Sequence, residues 1–363
     1  MTKYRKLYFQ LIEAATPEDK VRRVADTLLG LMSQAGRLDA PVDLTSIVEQ
    51  LAIAPELVFA GIDTEGRLDH DQARDRFVVI LRKRPSSKLA EHETPSLFES
   101  DDRRVRLTPT QRFTYAHEVA HRFFFVSDNN VWRRAAHVAC RNVRSDLRPR
   151  AEARLIALEE RLCDAVAGEV LIPRTLLTDA LPRRWTEWTD EPLSYCAFSE
   201  DLRRLASAFS VSEDCLFVRL QRLSAERAIN MPSGFCAMLV EVSRRKGDRA
   251  IGLKKARCIA AITPTTLDGQ KVVPWYPGIP LGVISPDGLD ALRALMGTWK
   301  GDAIPKSLPL DFALKPEKDS EVGRSRRKML VGWGIGRGIY WNSPRALVWG
   351  MLRDPEAGRA LVS

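Results

Sequence analysis

The sequence predicts an α+β protein: a mixed helix-and-strand region, then a helical segment, then a separate β-rich α+β domain. Three observations lead there. Apolar residues recur at helical spacing near the N-terminus, where Val21, Val24, Leu28, Leu29 and Leu31–Met32 form a stripe within residues 1–35. Runs rich in β-formers, Leu57–Phe59 and Phe77–Leu81, lie within 56–82 and are punctuated by Gly61 and Gly66 as turn signals. From about residue 232 the character changes, with alternating Val, Ile and Trp among many Gly and Pro, and five of the eight tryptophans fall there. A chain of 363 residues suits two or three domains. The expected boundaries are 1–190 with an arginine-rich insertion at about 127–150, a helical segment at 191–230, and a C-terminal accessory or sensor domain at 231–363.

Between the first helix and the strands, Pro41-Val42-Asp43-Leu44-Thr45 leads into a short amphipathic stretch through Ile47, Val48 and Leu51, capped by Asp43 or Thr45. A polar loop is expected at 84–104. The next helix has the clearest start in the chain. Thr108 is a good N-cap, Pro109 suits the first helical position, and Gln111 completes a capping box. The pattern carries this helix to about Phe125. Another helix is expected at roughly 151–171, ended by Pro173, and a small helical segment at 198–226.

Composition narrows the function classes. Hydrophobic residues make up 45% and charged residues 28%, a globular balance with enough apolar material for a large core. The six cysteines contain no C-x-x-C pair, which argues against a zinc ribbon or disulfide scaffold and favours core thiols in a reducing cytoplasm. The N-terminal stretch lacks a signal-peptide core, and no apolar run is long enough to span a bilayer, so a membrane partner is not expected. The net charge of +9 permits binding to DNA or an acidic partner; a solvated, arginine-rich surface is the favoured account of it.

The chemistry concentrates at His117-Glu118-Val119-Ala120-His121. Four residues turn a helix by about 400° and advance it by about 6 Å, so both imidazoles leave one face, one turn apart. That is a suitable bite for a single Zn²⁺, and Glu118, about 100° around, falls beside the metal as a candidate general base. Zinc brings the pKa of a bound water to about 7, and Glu118 would take its proton. Only five histidines occur in the chain, two of them here, between bulky apolar flanks that include Phe113, Tyr115, Phe123 and Phe124. Apolar surroundings call for a partner for such groups. A third protein ligand is required, and Glu160 on the following helix is the candidate, with Glu159, Glu152 and Glu169 as rivals. Glu160 followed one turn later by Asp164 resembles the gluzincin pattern, in which the glutamate binds zinc and the aspartate orients a ligand histidine.

Several blocks taken together are similar to one family. Arg112-Phe113-Thr114-Tyr115-Ala116-His117-Glu118-Val119-Ala120-His121 forms the first, and Glu160 through Pro173 the second. Pro41–Leu44, Gly66–Leu68 and Val78–Ile80 lie upstream; Leu205–Ser212 with Arg219–Leu223 lie downstream. In order over about residues 20–225, these resemble the ImmA/IrrE metallo-endopeptidases. The resemblance implies a zincin-like metallopeptidase domain, a helix-turn-helix-like segment, Zn²⁺ as cofactor and narrow specificity. It also implies a protein substrate, typically a helix-turn-helix transcriptional repressor encoded nearby, whose cleavage switches on a stress or mobile-element response. The chain departs from the pattern in three places: Ala120 stands for a glycine, Cys163-Asp164 stands for Ala-Asn, and 39 positions separate His121 from Glu160, longer than the family leads one to expect. The extra length holds Trp132, His137 and Cys140, and reads either as a substrate-binding or inhibitory loop or as plain surface.

Other signals are weaker. Arg203, Arg204, Arg219 and Arg222 in the 198–226 segment could meet phosphates, but Leu205, Phe209, Val211, Leu216, Leu220 and Leu223 give a core-like stripe that favours a structural or partner-docking pair. Gly332, Gly334, Gly336 and Gly338 alternate with larger residues and suit a strand with close backbone approach or a bulged hairpin. Basic clusters at Arg244–Lys246, Lys254–Arg257 and Arg324–Lys328 read as solvated faces, and His70, His92 and His137 receive no role. The rival to an enzyme is a regulator with a metallopeptidase-like fold that binds DNA or a repressor without cutting it; the intact His-Glu-x-x-His favours the enzyme, because a pure binder has no need of Glu118.

Overall fold

The computed structural model describes residues 16–34, 39–42, 44–83, 107–128, 131–141, 143–185, 198–229, 231, 234–244, 253–264, 266–267, 270–272, 308–313, 325–337 and 345–354. The expected helical start before residue 16, the cap at Asp43, the polar loop, His92, Cys196 and Gly338 lie outside the described residues. Within them, helices and small sheets are mixed, in keeping with an α+β chain. No described helix is long and apolar enough to cross a membrane.

The chain divides into two compact units, residues 1–177 with 207–212 and residues 178–206 with 213–363. The boundaries expected at 190 and 230 therefore both fall inside the second unit.

In the first unit, α1 (Pro17–Gln34) opens on Thr16, whose hydroxyl accepts the Asp19 amide at 3.1 Å, and buries Val21, Val24, Leu28 and Met32. The stretch through Ile47 and Leu51 forms two 3-10 turns, Leu44–Ile47 and Glu49–Leu51, rather than one amphipathic helix. Ala52 takes a left-handed conformation at φ 55° and closes the second turn. Three strands follow, β1 (Val58–Ala60), β2 (Gly66–Asp71) and β3 (Arg76–Arg82). Their order is β1-β3-β2, with β1 parallel and β2 antiparallel to β3. Central β3 alternates as a half-buried strand should, with Phe77, Val79 and Leu81 inside.

Helix α2 (Pro109–His121) begins as its sequence dictates. Thr108 Oγ1 accepts the Gln111 amide at 3.3 Å, and the Gln111 side chain accepts the Thr108 amide at 2.9 Å. It ends earlier than the apolar pattern suggests. The chain tightens into a 3-10 turn at Arg122–Phe124 and passes directly into β4 (Phe125–Asp128), which pairs with β5 (Val131–Arg134). Phe123 and Phe124 are core residues of that turn, so helical spacing of apolar residues overran the helix. The supposed insertion is thus this hairpin, a short helix α3 (Ala135–Ala139), and the start of α4 (Arg148–Leu171), which begins ahead of residue 151 with Pro149 in its first turn. Helix α2 packs on β2, β3 and α4, and α4 packs on α1. A final helix, α5 (Arg174–Ala180), starts immediately after Pro173.

The second unit has at its centre a five-stranded antiparallel sheet ordered β10-β11-β12-β6-β7, from β6 (Phe235–Arg244), β7 (Leu253–Ile262), β10 (Leu308–Ala313), β11 (Ser325–Arg337) and β12 (Arg345–Arg353). The pair β8 (Thr266–Leu267) and β9 (Gln270–Lys271) forms a small separate ladder. Residues 235–240 and 347–352 are buried without alternation, because β6 and β12 lie inside the sheet with both faces covered. The glycine-alternating run is strand β11, and its register slips between Val331 and Gly334, the bulge its composition suggested. All six residues of the expected apolar stripe are buried: Leu205 on α6 (Phe198–Ala208), Leu216, Leu220 and Leu223 on α7 (Glu213–Ala225), and Phe209 and Val211 in the linking turn, which belongs to the first unit. Arg219 is buried with them, which removes it from the set available to meet phosphates. Phe198 stacks on Trp185 and meets the rings of Phe235 and Trp349, while Trp185 Nε1 donates to buried Asp201 at 2.9 Å.

Because the Thr108 hydroxyl satisfies an amide that would otherwise face only water, Thr108→Ala should cost about 1 kcal/mol and speed exchange at the Gln111 amide. Hydrogen exchange comparing the α2 amides of the two proteins checks this; unchanged protection at Gln111 would contradict it.

Candidate metal centre

The polar side chains in the last five residues of α2, His117–His121, face two different neighbours. His117 and His121 turn toward α4; Glu118 turns toward β2. On the first side the two Nε2 atoms lie 3.0 Å apart, and Glu160 Oε2 stands 3.1 Å from His117 Nε2 and 3.3 Å from His121 Nε2. The outer ring nitrogens are both taken. His117 Nδ1 lies 2.8 Å from Asp164 Oδ1, and His121 Nδ1 lies 2.7 Å from Glu159 Oε1. An ionised carboxylate only accepts, so each Nδ1 carries the hydrogen and donates it. Each Nε2 is left to present a lone pair, or a second proton, to the same small space.

That space suits a cation. Nitrogen and oxygen ligands about 2.0–2.1 Å from one tetrahedral metal stand about 3.3 Å from each other, close to the three separations found here. His117, His121 and Glu160 form a group whose ligand atoms could hold a metal ion. The carboxylates behind the imidazoles fix tautomer and ring angle, as such partners do at metal-binding histidines. Among the described residues no other group of this kind occurs. Glu152, a rival for the third position, pairs instead with His137, and Glu159 supports a histidine rather than facing the space between them.

The electrostatics agree. Burial works against charge on His117, but the hydrogen bonds to Asp164 and Glu160 outweigh it and push the pKa up to about 9. His121 is raised in the same way, burial being outweighed by Glu159 and Glu160. The two imidazoles hold the Glu160 carboxyl well below the usual carboxylate range. Burial pushes Glu118 upward, with His121 and His117 acting against it. The centre grades from sealed to accessible: His121 and Glu159 side chains are 1% and 4% exposed, His117 14%, Glu160 42% and Asp164 57%. Cys163, between the acidic residues in sequence, is fully buried, and burial raises its thiol well above the usual value, so it is an inert core group.

Glu118 lies on the other neighbour's side. A Cβ built on Gly66, the first residue of β2, would collide with Thr114 Cγ2 and come within 3.0 Å of Glu118 Oε1. Gly66 is therefore a close-approach glycine rather than a turn residue, and its bare backbone lets β2 lie against the Glu118 side chain.

Residues 87–221 match the peptidase family described as the IrrE N-terminal-like domain. Those residues are thus similar to an IrrE-like peptidase domain. This match supports membership of the ImmA/IrrE family, and a metallopeptidase family with a histidine–histidine–glutamate group at its centre points to a metallopeptidase-like function. No curated protein matches the chain. The IrrE-like domain contributes two residues that sequence reading did not place: Glu159, weighed only as a ligand, and Arg134, from the hairpin, whose Nη1 donates to Glu160 Oε1 at 3.3 Å. Nothing in the local sequence marks either; both depend on how α4 and the hairpin pack on α2.

A metal entering this IrrE-like centre must displace the proton that His117 holds below its pKa of about 9. Metal affinity should therefore rise with pH up to about 9, and binding at pH 7.5 should release protons. Calorimetry in buffers of different ionisation enthalpy measures this; a heat independent of buffer would contradict it.

Proposed function

We propose that the chain is a zinc-dependent endopeptidase in which His117, His121 and Glu160 hold Zn²⁺, Glu118 is the general base, and Asp164 orients His117. The observation that carries this reading is the convergence of two Nε2 atoms and one carboxylate oxygen at 3.0–3.3 Å, with both Nδ1 atoms committed to carboxylates. Two imidazoles and a carboxylate are a donor set that zinc accepts in hydrolytic enzymes. Bound there, zinc would supply Lewis acidity, polarising a peptide carbonyl and making water acidic near neutral pH.

The remaining work falls to side chains of this chain. Glu118, buried and raised in pKa by that burial, accepts a proton from the attacking water and delivers it to the leaving amine nitrogen as the C–N bond breaks. Asp164 and Glu159 keep the two imidazoles in the tautomer that points Nε2 inward. Gly66 lets β2 back Glu118 closely, limiting the positions its carboxylate can adopt.

The substrate follows from the family resemblance rather than from the site. A specific regulatory protein, such as a helix-turn-helix repressor encoded nearby, is the target that resemblance favours, its cleavage switching on a stress or mobile-element response. Narrow specificity predicts little turnover of unrelated unfolded proteins.

Two substitutions separate the roles. Glu118→Gln should keep stoichiometric zinc and lower cleavage by about 10²–10⁴-fold, while His117→Ala should lose both metal and cleavage. Elemental analysis with a cleavage assay on the neighbouring repressor reads both. Full biological activity in Glu118→Gln would sink the peptidase reading in favour of a regulator that docks without cutting.

A further inference from the structure

The hairpin β4–β5 brings one cation to the centre. Arg134 Nη1 donates to Glu160 Oε1 at 3.3 Å, and its Nε lies 3.9 Å from Glu159 Oε1. Glu160 is thereby divided: Oε2 faces the imidazoles and Oε1 faces the guanidinium. Glu159 and Glu160 are adjacent in sequence, and both point toward the same pair of histidines, with Glu118 and Asp164 close by. Carboxylates gathered this closely repel each other unless cations stand among them.

The position of Arg134 is fixed by the hairpin rather than by its own flexibility. It pairs with Phe125, four residues beyond His121, so it sits at the hairpin's base beside the end of α2. Trp132 shares its face of β5, two positions away. That indole lies 4.3 Å from the Arg122 guanidinium, meets Phe77 at 5.4 Å and donates through Nε1 to Asp75 Oδ1 at 3.3 Å. Arg133, between them, is exposed on the outer face.

We propose that Arg134 is a positioning residue for the metal centre: its guanidinium holds Glu160 Oε1 so that Oε2 alone is offered to the metal. This rests on the zinc reading above. It gives the long stretch between His121 and Glu160 a task, as a strap that carries a guanidinium onto the ligand carboxylate. A neutral residue at 134 frees Oε1 to turn onto the metal or away from it.

The test measures Zn²⁺ affinity of the full chain by competition with a chromophoric chelator, for the native protein and for Arg134→Gln, Arg134→Lys and Arg133→Gln. Thermal unfolding of each metal-free protein is followed in parallel, so that lost folding is not read as lost affinity. Arg134→Gln should bind zinc ~10–100-fold more weakly, the range for removing a group that supports a metal ligand. Arg134→Lys should fall between it and the native protein, and Arg133→Gln should match the native protein. With Co²⁺ in place of zinc, the visible spectrum of Arg134→Gln should weaken as Glu160 brings its second oxygen to the metal. Native affinity in Arg134→Gln overturns the proposal, as does an equal loss in Arg133→Gln, which would mark a general charge effect. Should Arg134→Gln fail to fold, Arg134→Lys against Arg133→Gln decides in the same way. A native chain that takes up no stoichiometric zinc would overturn the metal reading itself, an outcome visible before any variant is compared.

Discussion

Two hydrogen bonds on the far side of the imidazoles govern the centre. Without Asp164 and Glu159, the rings of His117 and His121 could rotate or exchange tautomers, and the pair of inward lone pairs would be one arrangement among several. With them, the inward direction is the one left. The same two bonds make burial tolerable. His121 and Glu159 are almost wholly removed from water, a placement that is costly for either group alone and acceptable for a hydrogen-bonded pair. The packing that seals the inner histidine therefore also aims it.

The centre is the contact between two helices. Helix α2 supplies nitrogen from positions 117 and 121; helix α4 supplies oxygen from 159, 160 and 164. Each set repeats at one-turn spacing, so two helices packed side by side match donors to acceptors over one turn of length. Close by in sequence, both helices bury small or apolar side chains, Ala116, Val119 and Ala120 on α2 and Cys163, Val166 and Ala167 on α4. Small side chains let the backbones approach closely enough for short polar side chains to meet. About 100° around α2, Glu118 faces the sheet instead, and Gly66 performs the corresponding service there by having no side chain.

Much of this was legible in the sequence, and the limits have physical reasons. The start of α2 was readable because capping is local: Thr108, Pro109 and Gln111 act within one turn. The histidine pair was readable because its spacing belongs to one helix. The end of α2 was not, since Phe123 and Phe124 continue a helical pattern while serving a 3-10 turn. Glu160 and Glu159 are neighbours, and only the rotation of α4 against α2 decides which faces the space between the histidines. The β4–β5 hairpin was hidden because its strands have four residues each and carry arginines, so their alternation cannot be told from a polar loop. In the second unit, the alternating character from about residue 232 announced strands, but the burial of β6 and β12 without alternation and their pairing across a long stretch of sequence could not be read from it.

A hairpin of that length does not hold its shape in water by backbone pairing alone. What anchors it is a buried cation. Arg122, 3% exposed, lies between two aromatic faces, its guanidinium 4.3 Å from both the Phe77 and the Trp132 ring, while its Nε donates to the Leu51 carbonyl at 2.9 Å. Ring quadrupoles and a carbonyl offset the loss of hydration that burial imposes on the charge. Phe77 belongs to the central strand of the sheet, Trp132 to the hairpin, and Arg122 follows His121 directly. One side chain thus ties together the sheet core, the hairpin and the end of the helix that carries the histidines. A disturbance at the indole reaches His121 through a single peptide link, and reaches Glu160 through Arg134 two positions along the strand. The stretch that looked like an insertion thus meets the centre twice, through Trp132 on Arg122 and through Arg134 on Glu160.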